Sequence, residues 1–237
     1  MTARDAVAWL ERKSSKRVRD EQRTRYGITA AKALGVPMSS IQQLAREIGR
    51  DHALAEALWK TGVYEARLLA AYVDEPERVT AAQMDRWARD FDNWGVCDTL
   101  CFALFDRSPY AWGQVGPWCR RDEEFVRRAG FALLACLAAH DRTSSDAPFL
   151  RALKLVARGA TDERNFVKKG VSWALRGTGR RSPALHAAAT SIARELSDSD
   201  TPSARWIGKT ALRELGSPVV QKALARQRGK ARGKAAR

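Results

Sequence analysis

In the stretch DFDNWGVCDTLC, residues 90 to 101, Asp98 follows Trp94 by four positions. On a helix that spacing stacks an indole and a carboxylate on one face. A carboxylate so placed can stabilise positive charge developing on a sugar carbon or orient an attacking water, and an indole offers an electron-rich face to a cation. The same spacing suits packing, with the tryptophan in a core and the acid at a cap or in an ion pair. The residues alone leave both readings open. Trp173, in VKKGVSWALR, lies four after Lys169 and so shares a helix face with a cation, an unusual setting for a buried indole.

Other chemistries find little support. Cys97 and Cys101 lie four apart, Cys119 and Cys136 stand alone, and none of His52, His140 and His186 falls at metal-ligand spacing, so the cysteines read as core residues and no metal is expected. His140 ends a helix, where a cation favours the dipole. Trp112 and Trp118 sit in SPYAWGQVGPW, which reads as a loop, and are expected to pack. There is no glycine-rich phosphate cradle, no GxSxG and no HExxH, which disfavours NTPases and serine or zinc hydrolases.

The elements that must hold these residues read as helices almost throughout. Apolar spacing and punctuation place them at 3–13, 16–25, 39–49, 51–60, 63–73, 80–90, 92–106, 121–140, 147–158, 162–177, 183–197, 203–215 and 217–227, with no credible strand. Gly95 costs about 1 kcal/mol in a helix interior, so the helix at 92 can instead begin beside it, with Asp92 or Asn93 as its N-cap.

Four segments repeat a pattern: GVYEARLLAAYV, EEFVRRAGFALL, RNFVKKGVSWAL and ARWIGKTALREL each carry an aromatic with a basic residue three later. The aromatics are Tyr64, Phe125, Phe166 and Trp206; the last three are spaced by 41 and 40 residues, and the first interval is 61. A period near 40 built from paired helices predicts an all-α, HEAT-like helical-repeat solenoid. Stacked in register, Arg67, Arg128, Lys169 and Lys209 would form a column of cations suited to a phosphate backbone; the plainer reading is that they solvate helix faces.

The 237 residues are 45% hydrophobic, enough for a sizeable core, and 42 Lys plus Arg against 27 Asp plus Glu leave a net charge of +15. Such a surplus favours a polyanionic partner, nucleic acid first and an anionic membrane surface second. The longest apolar run, GFALLACLAA, falls short of the roughly 20 residues of a membrane span. The N-terminus has no secretory pattern, so a cytoplasmic protein, associated with the nucleoid through DNA, is expected. Residues 1–225 read as one domain. The end of the chain, 226–237, is low in complexity and reads as a disordered basic tail, either an electrostatic arm or a solubilising end.

RYGITAAKALGV at 25–36, DFDNWGVCD at 90–98, EEFVRRAGFALL at 123–134 and RNFVKKGVSWALR at 164–176 resemble, in order, the AlkD-type family of DNA alkylation repair glycosylases. The resemblance implies a HEAT-like solenoid whose concave basic face holds duplex DNA, and removal of cationic bases such as 3-methyladenine and 7-methylguanine without flipping the nucleotide. By motif position it implies Asp98 as the catalytic aspartate, Trp94 and Trp173 as the two active-site tryptophans, Arg128 as the backbone contact near the lesion, and Tyr26 as an aromatic near the DNA. Arg67, Arg127, Lys168, Lys169 and Lys209 complete the expected DNA-binding set. The chain departs from the family pattern at Gly95, where an acid follows the tryptophan.

The chemistry is consistent. An N-alkylated purine already carries positive charge and leaves without a general acid, so one carboxylate suffices where most glycosidases need two. No cofactor and no Schiff-base lysine are implied, and a monomer is expected. Two readings compete with the glycosylase: a HEAT-like binder of DNA structures without catalysis, and a protein-interaction scaffold.

Overall fold

Hydroxyl, carboxamide and carboxylate side chains mark the helix starts. Thr2, Ser15, Asp51, Thr80, Asn93 and Ser182 each accept a hydrogen bond from the amide three residues on, satisfying a donor that the helix leaves unpaired. The computed structural model describes the backbone of residues 1–235 and side chains as far as Gln227. Among the described residues there are fourteen α-helices, one short 3-10 turn and no strand. The chain divides into two compact units, Met1–Ala111 and Trp112–Arg237.

The first unit contains α1 (Ala3–Arg12), α2 (Lys16–Thr24), α3 (Met38–Ile48), α4 (His52–Lys60), α5 (Tyr64–Val73), α6 (Ala81–Arg89) and α7 (Trp94–Ala103), then the 3-10 turn Phe105–Arg107. α5 is its centre. It packs against α1, α3, α4 and α7, and eight of its ten residues, Glu65 included, are buried. A buried carboxylate requires partners. Glu65 accepts hydrogen bonds from the backbone amides of Leu34 (2.9 Å), Gly35 (2.7 Å) and Val36 (3.2 Å). The irregular segment after α2 is thereby fastened to the middle of the unit. Gly35, at φ +80°, is required there twice over, since a Cβ would also lie 2.3 Å from the carbonyl of Ser15.

The second unit contains α8 (Ala111–Trp118), which begins at the boundary, then α9 (Glu124–His140), α10 (Asp146–Gly159), α11 (Asn165–Gly179), α12 (Pro183–Ser197), α13 (Pro202–Leu215) and α14 (Pro218–Ala235). Here α11 is the centre, packed against α9, α10, α12 and α13. Phe125 and Phe166 fall at the second positions of α9 and α11, so the sequence repeat marks equivalent helix starts. Hydrogen bonds between residues about one repeat apart tie the layers: Arg128 to the Phe166 carbonyl (2.6 Å), Ser203 to the Ala160 carbonyl (2.7 Å), and Ser182 to Asp146 (2.5 Å).

Two expectations change. The segment expected as a loop, 108–118, holds α8 over most of its length: Trp118 is buried, and Trp112 packs edge-on against Phe149 while its Nε1 donates to Asp141 (2.9 Å). Burial of Trp118 and the packing of Trp112 outweigh the poor helix propensity of Gly113, Gly116 and Pro117. At the end of the chain, where composition predicts a disordered tail from 226, the backbone is helical to Ala235; Ala, Lys, Arg and Gln are strong helix formers. The last two residues of that tail lie outside the described residues. All four cysteines are buried, and burial pushes the Cys119 thiol up to about 12. No helix among the described residues is long and apolar enough to cross a membrane.

Candidate functional site

α7 begins at Trp94 with Asn93 as its cap, the Asn93 Oδ1 accepting from the Val96 amide (3.0 Å). Gly95, Val96, Cys97, Leu100, Cys101 and Ala103 are buried. The positions left with access to solvent are Trp94, Asp98, Thr99 and Phe102, and three of these recur at intervals of four. Trp94 and Asp98 therefore occupy the one accessible stripe of a helix otherwise enclosed, both half-buried. Packing alone would have turned the indole inward.

The indole is held in a defined pose. Trp94 Nε1 donates to the carbonyl of Tyr26 (2.8 Å), and the two rings meet edge to face at 6.5 Å. Tyr26 is 45% exposed and lies under the Arg25 guanidinium. Gly27, at φ +63°, turns the chain immediately after it, and Glu65 fastens the segment that follows. The motif RYGITAAKALGV thus positions an aromatic against Trp94 across 68 residues of sequence.

Gly95 has a packing reason. A Cβ built there would lie 2.5 Å from the Tyr64 hydroxyl and 3.1 Å from Ile28 Cδ1. Tyr64 is buried, and burial, with Glu65 and Asp92 nearby, raises its phenol above the ordinary range. The departure at Gly95 accompanies a buried tyrosine that fills the space a side chain would need.

The cations do not form a uniform column. Arg67 folds over the Trp59 ring (4.8 Å), donates to the Asp90 carbonyl (3.1 Å) and pairs with the Asp90 carboxylate (3.5 Å). Arg128 is only 6% exposed, beneath the Phe166 carbonyl that accepts from it. The Arg67 guanidinium satisfies a carbonyl at the C-cap of α6, where the helix supplies no partner, and Arg128 reaches a carbonyl in the first turn of α11. Lys169 and Lys209 are exposed. Arg127 pairs with Asp162 (3.4 Å), which Arg164 also grips. Burial opposes ionisation of Asp162, but the hydrogen bonds and charge of Arg164, aided by Arg127, hold its carboxyl below the ordinary range.

In the second unit, Phe166, Lys169, Trp173, Arg176 and Arg180 succeed one another along α11 and its cap at intervals of three and four, one continuous stripe of aromatics and cations. Lys168 stands beside it, its Nζ 5.3 Å from the ring of Trp206, which is 41% exposed. Trp173 is half-buried and lines a cavity of about 630 Å³ together with Arg142, Arg176, Arg180, Arg181 and Glu214. Glu214 and Arg142 escaped the sequence reading. Arg176 closes the motif RNFVKKGVSWALR and continues its heptad spacing, a signal that was available.

A family model described as "DNA alkylation repair enzyme" matches residues 8–215. No curated protein matches. A solved structure described as "A new family of proteins related to the HEAT-like repeat DNA glycosylases with affinity for branched DNA structures" superposes with a TM-score of 0.75 at 20% identity, covering 88% of this chain and 93% of that one. At that identity the likeness is one of fold: all-α and HEAT-like, as the repeat predicts. A designed armadillo repeat protein in complex with the peptide (KR)4 covers 78% of this chain and 88% of its own at a TM-score of 0.36 and 10% identity, too distant to carry an argument.

Proposed function

We propose, for a chain that belongs to the DNA alkylation repair enzyme family, that it hydrolyses the N-glycosidic bond of positively charged alkylated purines in duplex DNA without flipping the nucleotide. The observation that carries this reading is the accessible stripe of α7, where Trp94 and Asp98 stand on an otherwise buried helix with the indole pinned through Nε1 to Tyr26. Asp98 stabilises the oxocarbenium character that develops on the deoxyribose as the base departs and orients the water that attacks it. The charge of the lesion makes a general acid unnecessary. Trp94 presents its ring face to the cationic nucleotide, worth about 0.5 to 2 kcal/mol, and Trp173 is proposed as the second indole. Selectivity then follows from lesion charge, which needs no pocket for reading base edges. The exposed Lys169 and Lys209, with Lys168, are proposed to hold the phosphate backbone, and Arg128, Arg127 and Arg67 to shape the surface beneath it.

The second reading, binding of DNA structures without catalysis, is favoured by Gly95, which stands where an acid follows the tryptophan in the family pattern. The solved relative of like fold is described by its affinity for branched DNA, which lends the reading weight. One experiment separates the two. Release of free base from duplex carrying 7-methylguanine is measured under single-turnover conditions for the native protein and for Asp98→Asn. The glycosylase predicts release by the native protein and a loss of about 10²- to 10³-fold in Asp98→Asn, with most DNA affinity retained. Release at the native rate by the variant would remove Asp98 from the site, and no release from either protein, with salt-sensitive binding kept, would leave the binder.

A further inference from the structure

The cavity beside Trp173 holds an unusual balance of charge. Arg142, Arg176, Arg180 and Arg181 line it, and Glu214 is the one acid among its lining residues. Arg181 is committed to structure, donating to the carbonyls of Ala138, Asp141 and Ser144 and lying 4.2 Å from the Phe149 ring. Arg176 and Arg180 both converge on Glu214: Arg176 Nη1 bonds one carboxylate oxygen, and Arg180 Nη1 bonds the other at 3.3 Å. Arg142 is exposed.

Local helix energetics explain half of this arrangement. Arg176 and Arg180 stand at the C-terminal end of α11, where positive charge is favoured by the dipole. Glu214 stands next to last in α13, the end where negative charge is disfavoured. Its position is set by the two guanidiniums. A carboxylate gripped by two arginines mimics a phosphate, which offers the same pair of oxygens to the same donors. The surroundings also suit a nucleotide unit, with an open cavity, an indole wall and a further cation.

We propose that this cavity is a seat for one backbone phosphodiester of bound DNA, and that Glu214 occupies the seat in the DNA-free protein as an internal stand-in for the phosphate. The proposal rests on the DNA-binding part of the reading above. On binding, the phosphodiester takes over Arg176 and Arg180, Arg142 adds to the neutralisation, and the adjacent sugar and base lie against Trp173. Before binding, Glu214 keeps both guanidiniums ordered and lowers the cavity's charge, which restrains attachment to unrelated polyanions. Every arriving phosphate must displace a like charge, so affinity for undamaged duplex is held down.

The test is the affinity of the full chain for a fluorescent unmodified duplex over a range of salt, for native protein, Glu214→Gln, Arg176→Ala/Arg180→Ala, and the triple variant. Glu214→Gln keeps the shape of the side chain and removes the competing charge. It is expected to bind about fivefold more tightly at low salt, the gain shrinking as salt screens the competing charge. In the Arg176→Ala/Arg180→Ala background the same change is expected to have no effect. A comparable gain in that background would mean that net charge acts from a distance, and the seat would be wrong. Weaker or unchanged binding by Glu214→Gln, with native helicity by circular dichroism, would make Glu214 a buttress and also overturn it. Glu214→Ala covers the case in which the Gln variant misfolds: it too must bind more tightly, and a loss of affinity in a folded Ala variant is contrary evidence. A native protein that binds no duplex overturns both readings; one that binds but is indifferent to Glu214 overturns this one alone.

Discussion

The two units are built at different gauges. In the first, side chains that tie one layer to the next reach across about 30 residues: Glu65 to Leu34 and Gly35, Trp59 to Asp90, Arg86 to Glu56, Gln42 to Tyr72. In the second they reach across about 40: Arg128 to Phe166, Ser203 to Ala160, Arg181 to Asp141. Helices follow suit, nine to eleven residues from α1 to α7 and fourteen to seventeen from α9 to α13. Short helices bury less apolar surface each and depend more on specific polar ties. The first unit concentrates that dependence on Glu65, whose removal would leave three buried or half-buried amides without an acceptor. Glu65→Ala is expected to cost about 3 to 5 kcal/mol, lowering Tm by on the order of 10 °C for a chain of this size. Hydrogen exchange should show the loss within Met1–Ala111 and leave α9 to α13 protected. Equal loss in both units would dissolve the contrast.

A smaller perturbation probes the packing under the candidate site. Gly95→Ala places a methyl group against the Tyr64 hydroxyl, and overpacking of this kind costs about 1 to 3 kcal/mol. If the hydroxyl is the obstacle, Tyr64→Phe should relieve it, and a double-mutant cycle by denaturant unfolding should give a favourable coupling of about 1 kcal/mol or more. Additive effects would place the obstacle elsewhere, at Ile28 or in the backbone. The result also bears on the departure from the family pattern. Strong coupling would mean that Gly95 and Tyr64 arose as a pair for packing, so that the glycine by itself says little against catalysis.

The all-helical, repeated architecture was legible in the sequence because periodicity and caps are local signals. The 41- and 40-residue spacing of Phe125, Phe166 and Trp206 registers the second unit directly. The first unit's shorter gauge was hidden, since Tyr64 is its sole member of the aromatic series, so the 61-residue interval looked like an irregularity within one array. Trp94 and Asp98 were legible as sharers of a face, but which face α7 buries depends on Val96, Cys97, Leu100 and Cys101 finding neighbours far away in sequence. The role of Glu65 was illegible, because a glutamate in YEARLLAA looks the same whether water or three distant amides solvate it. What Arg67 and Arg128 touch within the protein was illegible for a related reason. Their spacing from the aromatic was visible, whereas the carbonyls of Asp90 and Phe166 that accept from them were not. Glu214 needed both α11 and α13 in place before it could be seen between two arginines.

The mildest test separates what a repeat-position cation does in each unit. Lys169 is exposed, with its Nζ 5.9 Å from the Phe166 ring, and little of the fold leans on it. Lys169→Ala should therefore change stability by less than about 0.5 kcal/mol, while reducing the salt slope of duplex binding by roughly 0.9. Arg67 occupies the same repeat position but is spent on Asp90 and Trp59, so Arg67→Ala should do the reverse, losing about 1 kcal/mol of stability with the slope nearly unchanged. Thermal unfolding and salt-titrated binding of the two variants decide the matter. If both shift the slope alike, the ion pair to Asp90 opens when DNA arrives and the first unit also presents its cation to phosphate. If Lys169→Ala leaves the slope unmoved, the stripe on α11 does not follow the backbone, and the duplex contacts must be sought among the other exposed cations, beginning with Lys209.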